Sequence, residues 1–67
     1  MNIIAKGAKT LAEYKLKRAA ITKLATQLSD HWGLGIPVIA WLDSAAVHVV
    51  YSDGSRWLLT ERDAIKE

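Results

Sequence analysis

The sequence predicts an α+β domain, one N-terminal helix packed on an antiparallel sheet of three strands, or four if Asn2 to Ala5 adds an edge. Two observations carry this. A capped amphipathic segment runs from Thr10 to Gly33, and three short apolar runs follow it, Val38 to Leu42, Ala45 to Tyr51 and Trp57 to Thr60, joined by turn-forming residues. At 67 residues the chain is one domain over 1–67, near the lower limit for folding without disulfides or metal.

The opening residues Asn2 to Ala5 are β-prone, with Lys6-Gly7 as an exit. The helix signals then begin at Thr10, which forms a Thr-x-x-Glu capping box with Glu13: the hydroxyl accepts from a first-turn amide while the carboxylate reaches back. They end at Gly33, a good residue just past a helix, followed by Gly35 and the helix-incompatible Pro37. The expected span is 11–32. On a helical wheel Tyr14, Ile21, Leu24, Ala25, Leu28 and Trp32 share an arc of roughly 100°, an ordinary core-facing stripe.

The cations do not form one opposing stripe. Lys9, Lys15 and Lys23 spread around the polar side, Lys17 points into the apolar arc and Arg18 lies at its edge. Either their stems snorkel over the core rim, or the first two turns extend past the sheet; the second reading is preferred and makes the helix end a basic post. A solvated face is the plainer account of such a charge cluster.

In the sheet region, Asp53-Gly54 is a strong hairpin signal, read here as a two-residue type I′ turn. Val50 then faces Trp57 and His48 faces Leu59. A two-residue turn at Asp43-Ser44 places Trp41 beside Ala46 and Ile39 beside His48. One face thereby carries Ile39, Trp41, His48, Val50, Trp57 and Leu59. The other carries Val38, Ala40, Leu42, Val47, Val49, Tyr51 and Leu58, with Arg56 and Thr60 at its margin. A sheet with one side in water shows clean alternation of apolar and polar residues, and this one does not. One helix covers about one side, so the surplus points to a binding surface for which Trp41, His48, Tyr51, Arg56 and Trp57 are the candidate contacts. The competing account is that each Trp is simply core.

Chemistry is poorly provided for. The two histidines, His31 and His48, have no nucleophile or carboxylate at a recognisable catalytic spacing, so no enzyme activity is expected. His31 at a helix end is explained by the dipole there, and His48 reads as a structural or rim imidazole. With no cysteine and scattered acids, neither a metal site nor a cofactor is expected. Gly33-Leu34-Gly35 follows a helix instead of opening one, so it is a stop and not a phosphate loop. No long apolar run, export signal or lipidation motif is present, which predicts a cytoplasmic protein without membrane contact.

Charge is polarised along the chain. Residues 1–30 hold six Lys and Arg against two acids, a balance of +4, and residues 31–67 hold three against five, a balance of −2. A basic first half with Arg56 on a hairpin contains the ingredients of nucleic-acid contact through Lys9, Lys15, Lys17, Arg18, Lys23 and Arg56, without a helix-turn-helix, ribonucleoprotein or zinc-finger signature.

The stretch Trp41 through Trp57, ending Tyr51-Ser52-Asp53-Gly54-Ser55-Arg56-Trp57, covers about a quarter of the chain. It resembles the C-terminal hairpin of very small phage-encoded inhibitors of bacterial immunity, the anti-CRISPR proteins, in its aromatic strand, its polar-Asp-Gly-polar turn and its Arg/Lys-Trp exit. The resemblance implies a non-enzymatic inhibitor that blocks a nucleic-acid-handling protein or ribonucleoprotein complex by stoichiometric binding. Direct DNA or RNA binding by the basic helix is the alternative, and a homodimeric structural module is a third.

Overall fold

The computed structural model describes residues 1–43 and 46–67. Its elements run β1 (Asn2–Ile4), α1 (Leu11–His31), β2 (Ile39–Leu42), β3 (Val47–Val50), β4 (Arg56–Leu59) and β5 (Ala64–Lys66). The class is α+β, one helix on a sheet of five strands in the order β1-β2-β3-β4-β5.

The helix begins and ends where its caps say it should. Extended Thr10 accepts the Glu13 amide on its hydroxyl at 3.1 Å, and the Glu13 carboxylate reaches back to the Lys9 amide at 3.3 Å. At the far end Gly33 takes φ +67, its amide donates to the Asp30 carbonyl, and the Leu34 amide donates to that of Ser29. This Schellman closure satisfies two carbonyls that the helix leaves over. The buried helix residues, Ile21, Ala25, Leu28 and Ser29, all lie in its second half. Leu11 and Leu16 are 69% and 73% exposed, and Tyr14, expected in the core stripe, is exposed as well. The first turns therefore project past the sheet, as the scatter of cations suggested.

The sheet departs from the expected three or four antiparallel strands in two ways. β1 pairs with β2 in parallel, Ile3 opposite Ala40, because the helix between them is a crossover that returns the chain to the end from which β1 started. The sheet is thus mixed. A fifth strand then forms beyond Thr60, whose hydroxyl accepts from the Asp63 and Arg62 amides at 2.9 and 3.2 Å and folds the chain back so that Ile65 meets Leu58.

The hairpin registers decide which side chains face the helix. In the β3–β4 hairpin Val49 faces Trp57 and Val50 faces Arg56. The loop is one residue longer than a type I′ turn: the Gly54 amide donates to the Tyr51 carbonyl, the Tyr51 amide donates to the Ser55 carbonyl, and the positive φ falls on Gly54. A three-residue loop closed by a left-handed Gly spares Asp53 the positive φ that a type I′ turn would impose. The one-residue difference turns β4 over, so Trp57 and Leu59 face the helix while Arg56 and Leu58 face away. In the β2–β3 hairpin Trp41 faces His48 and Leu42 faces Val47. That is a shift of two residues from the expected pairing, which leaves every side chain on its predicted side. The expected turn at Asp43-Ser44 lies partly outside the described residues.

The core sits between sheet and helix, where Ile3, Ala40, Val47, Val49, Tyr51 and Leu59 meet Ile21, Ala25 and Leu28. Its one buried polar side chain among the described residues, Ser29, shares a 2.7 Å hydrogen bond with the Tyr51 hydroxyl. The Trp32 indole donates to the Thr60 carbonyl at 3.0 Å and pins the helix end to the end of β4.

Candidate functional site

The side of the sheet turned away from the helix is built by alternation. Ile4, Trp41, His48, Leu58 and Ile65 are successive cross-strand partners, one from each strand, so they form a single row across the sheet. Four interstrand gaps of about 4.8 Å make this row roughly 19 Å long. A second row runs beside it through Asn2, Ile39, Val50 and Arg56. Ile4 and Ile65 at the ends of the first row are 43% and 54% exposed, whereas Trp41, His48 and Leu58 between them shield one another and are half-buried. β1 and β5 are the edge strands, and among the described residues no element lies over this side.

At the centre of the row the Trp41 and His48 rings stack, with centroids 5.0 Å apart and planes 7° from parallel. The Asp43 carboxylate meets His48 Nε2, and Glu67 Oε1 lies 3.5 Å from Nδ1. The Asp43 and Glu67 carboxylates thus flank the two ring nitrogens, Asp43 within hydrogen-bond reach of Nε2. The two carboxylates stand on opposite nitrogens and do not converge. Among the described residues no group of three or more His, Asp or Glu side chains is placed to hold a metal ion.

The candidate contacts named from sequence separate into two groups. Trp41, His48 and Arg56 lie on the uncovered side. Tyr51 and Trp57 do not: Tyr51 is buried, and Trp57 packs against the core with its indole donating to Ser55 Oγ at 3.2 Å. The one-residue register change that brings Leu58 out carries Trp57 under the helix, whereas Tyr51 stays with Val47 and Val49 on the side where the sequence placed it, which is the side the helix covers. Burial pushes the Tyr51 hydroxyl above its ordinary range, with the Ser29 hydrogen bond opposing. Asp53 at the hairpin tip accepts from the Ser55 hydroxyl at 2.6 Å and the Ser55 amide at 2.9 Å, which hold its carboxyl below the usual range.

Sequence reasoning missed Ile4, Leu58 and Ile65 as members of this surface, and Asp43 and Glu67 as partners of His48. Leu58 follows from a register that depends on loop length, Ile4 from the parallel pairing of β1, and Ile65 from the fifth strand. Asp43 follows from its place just past β2, beside His48 of β3, and Glu67 follows from the fifth strand, which carries it back beside β4, where the Glu67 amide donates to the Arg56 carbonyl.

The basic set also divides. Lys17 Nζ donates to the Lys6 carbonyl at 3.2 Å and stands 3.8 Å from Glu13, so it is occupied in tying the projecting turns to the exit of β1. Lys15, Arg18 and Lys23 are exposed on another side of the helix, and Lys9 precedes the cap. Among the described residues no helix is long and apolar enough to cross a membrane. No protein-family model, curated protein or solved structure matches the chain.

Proposed function

We propose that this chain is a small non-enzymatic binding protein that docks through its uncovered sheet side onto an apolar surface of a protein belonging to a nucleic-acid-handling complex, and blocks that surface stoichiometrically. The observation that carries the reading is the row Ile4, Trp41, His48, Leu58 and Ile65, an apolar band crossing all five strands with no covering element among the described residues. Water-exposed bands of this kind mark interaction sites on small proteins. The Trp41–His48 stack supplies an aromatic centre at the middle of the band, with carboxylates beside the imidazole nitrogens, and a central aromatic is the residue type on which interface energy concentrates. The class of partner is supported by the resemblance of Trp41 through Trp57 to anti-CRISPR hairpins and by the basic first half, which attracts a partner carrying nucleic acid.

The test combines light scattering with capture from a bacterial lysate and a titration of the purified partner. Expected results are a monomer at micromolar concentration, recovery of a nucleic-acid-handling protein at one-to-one stoichiometry, and loss of that recovery with Leu58→Glu. Truncating a central interface Trp costs about 2 kcal/mol, so Trp41→Ala weakens binding roughly 30-fold. A dimer in solution whose interface is broken by Leu58→Glu overturns the proposal, because a second copy then covers the band. Recovery of the same protein by folded Leu58→Glu and Trp41→Ala also overturns it.

A further inference from the structure

The helix carries a second, largely exposed surface beside its core-facing stripe. Lys15, Arg18, Ala19, Thr22 and Lys23 line one shallow depression there, at the i, i+3, i+4, i+7 and i+8 spacing of residues that share a helix surface. The Thr22 hydroxyl donates back to the Arg18 carbonyl at 2.7 Å, so the character of the depression is set by its three cations around a small Ala19 floor. The sequence between Glu13 and Asp30 contains no carboxylate to neutralise them. Lys17, the remaining cation of that stretch, is held at the Lys6 carbonyl.

Geometry selects the anion. At 1.5 Å per residue, Lys15 to Lys23 spans about 12 Å of helix axis. One strand of B-form DNA presents a phosphate every 3.4 Å or so along its axis, and the span therefore faces about three to four of them. The buried positions begin only at Ile21, and apart from Glu13 and Lys17, which face the exit of β1, Leu11 to Ala20 are exposed, an open helix side about 15 Å long. A helix roughly 10–12 Å across enters the major groove of B-DNA, about 12 Å wide, whereas the corresponding groove of A-form RNA is too narrow to admit it. A lipid surface is a poorer match: a helix lying in a membrane interface needs a free apolar stripe, and here Ile21, Ala25 and Leu28 are committed to the sheet.

We infer that Lys15, Arg18 and Lys23 form a phosphate-contacting strip that binds duplex DNA without reading its sequence. The strip lies on the helix, across the core from the uncovered sheet side, and stands independently of the docking proposed above.

The test is a titration of the ¹⁵N-labelled full chain with a short duplex DNA, with duplex RNA and anionic phospholipid vesicles as parallel arms. Amide shifts are expected at Lys15, Arg18, Ala19, Thr22 and Lys23. With three phosphate contacts, affinity falls about 40-fold between roughly 50 and 200 mM salt, and for Arg18→Gln the fall is about 12-fold. Arg18 is exposed, and unchanged sheet amides verify that the variant is folded. Leu58→Glu, which abolishes partner capture on the docking reading, leaves DNA affinity unchanged, so the two proposals fail separately. The inference is overturned by absence of shifts at low salt, by shifts centred on Trp41 and His48, by an unaltered salt slope in Arg18→Gln, or by RNA or vesicles binding as tightly as DNA.

Discussion

Truncating two adjacent leucines of β4 tests the register on which the uncovered surface depends. Leu59 is fully buried beneath the helix, and Leu58 is half-buried on the opposite side beside His48 and Ile65. Leu59→Ala removes three carbons from a site packed with Val47, Ala25 and Leu28, where the lost transfer energy and the cavity together cost about 3 kcal/mol or more. Leu58→Ala removes the same atoms from a side that lacks a covering layer and costs about 1 kcal/mol or less. A folded chain of this length has a stability of about 3–10 kcal/mol, so the first change consumes a large part of it and the second does not. Urea unfolding followed by tryptophan fluorescence resolves the pair. With a slope near 1 kcal/mol per molar, the midpoint falls by about 3 M for Leu59→Ala and about 1 M or less for Leu58→Ala. Equal losses, or a greater loss for Leu58→Ala, would overturn the three-residue loop, since a two-residue turn at Asp53-Gly54 exchanges the positions of the two side chains.

Gly54→Ala tests the loop itself: a Cβ there meets no heavy atom within 4 Å, so the cost of about 1–2 kcal/mol comes from the left-handed φ of +84 alone, and Gly54→Asn recovers part of it in the same unfolding assay. Tyr51→Phe leaves the buried Ser29 hydroxyl without its partner and lowers stability at neutral pH by about 1–2 kcal/mol. The Tyr51 hydroxyl titrates above its ordinary value of 10.0 in the folded chain, so its contribution is complete below that value and is lost as pH rises through the folded one; unfolding measured across the alkaline range shows this loss in the wild type and not in Tyr51→Phe.

Features set by neighbouring residues were readable in the sequence. Thr10 with Glu13 and Gly33 mark the helix to within a residue, because caps are contacts between positions three or four apart. The existence of β2, β3 and β4 follows in the same way from β-prone runs between turn residues. Sidedness depends on loop length, and there parity decides. The β2–β3 pairing differs from expectation by two residues and keeps Ile39, Trp41, His48 and Val50 together, whereas the β3–β4 pairing differs by one and moves Trp57 and Leu59 under the helix. Asp53-Gly54 fits either loop by composition, and only the two Tyr51 hydrogen bonds, to Gly54 and Ser55, distinguish them. The parallel partner of β1 and the strand β5 escaped for a different reason. Each is three residues long, and its pairing is determined by where the preceding segment delivers the chain, not by its own residues.

The helix and the sheet are mismatched in a way that generates both surfaces. Only the second half of the helix carries buried side chains, and they reach one side of the sheet, so among the described residues nothing covers the back of the sheet or the front of the helix. Filling the first turns with apolar residues would not have covered the sheet's far side, since a helix cannot be on both. The far side carries an apolar band whose central imidazole lies between two carboxylates, and the helix front is cationic without acids between Glu13 and Asp30. An apolar band favours a dry protein contact, and a cationic strip favours a hydrated, salt-sensitive one. The core separates them, so a substitution on one side is expected to leave the affinity of the other unchanged. A partner that is itself bound to DNA would engage both in a single encounter, because docking of the sheet then holds the strip at a high effective concentration of phosphate, and the weaker contact adds affinity that it does not have alone.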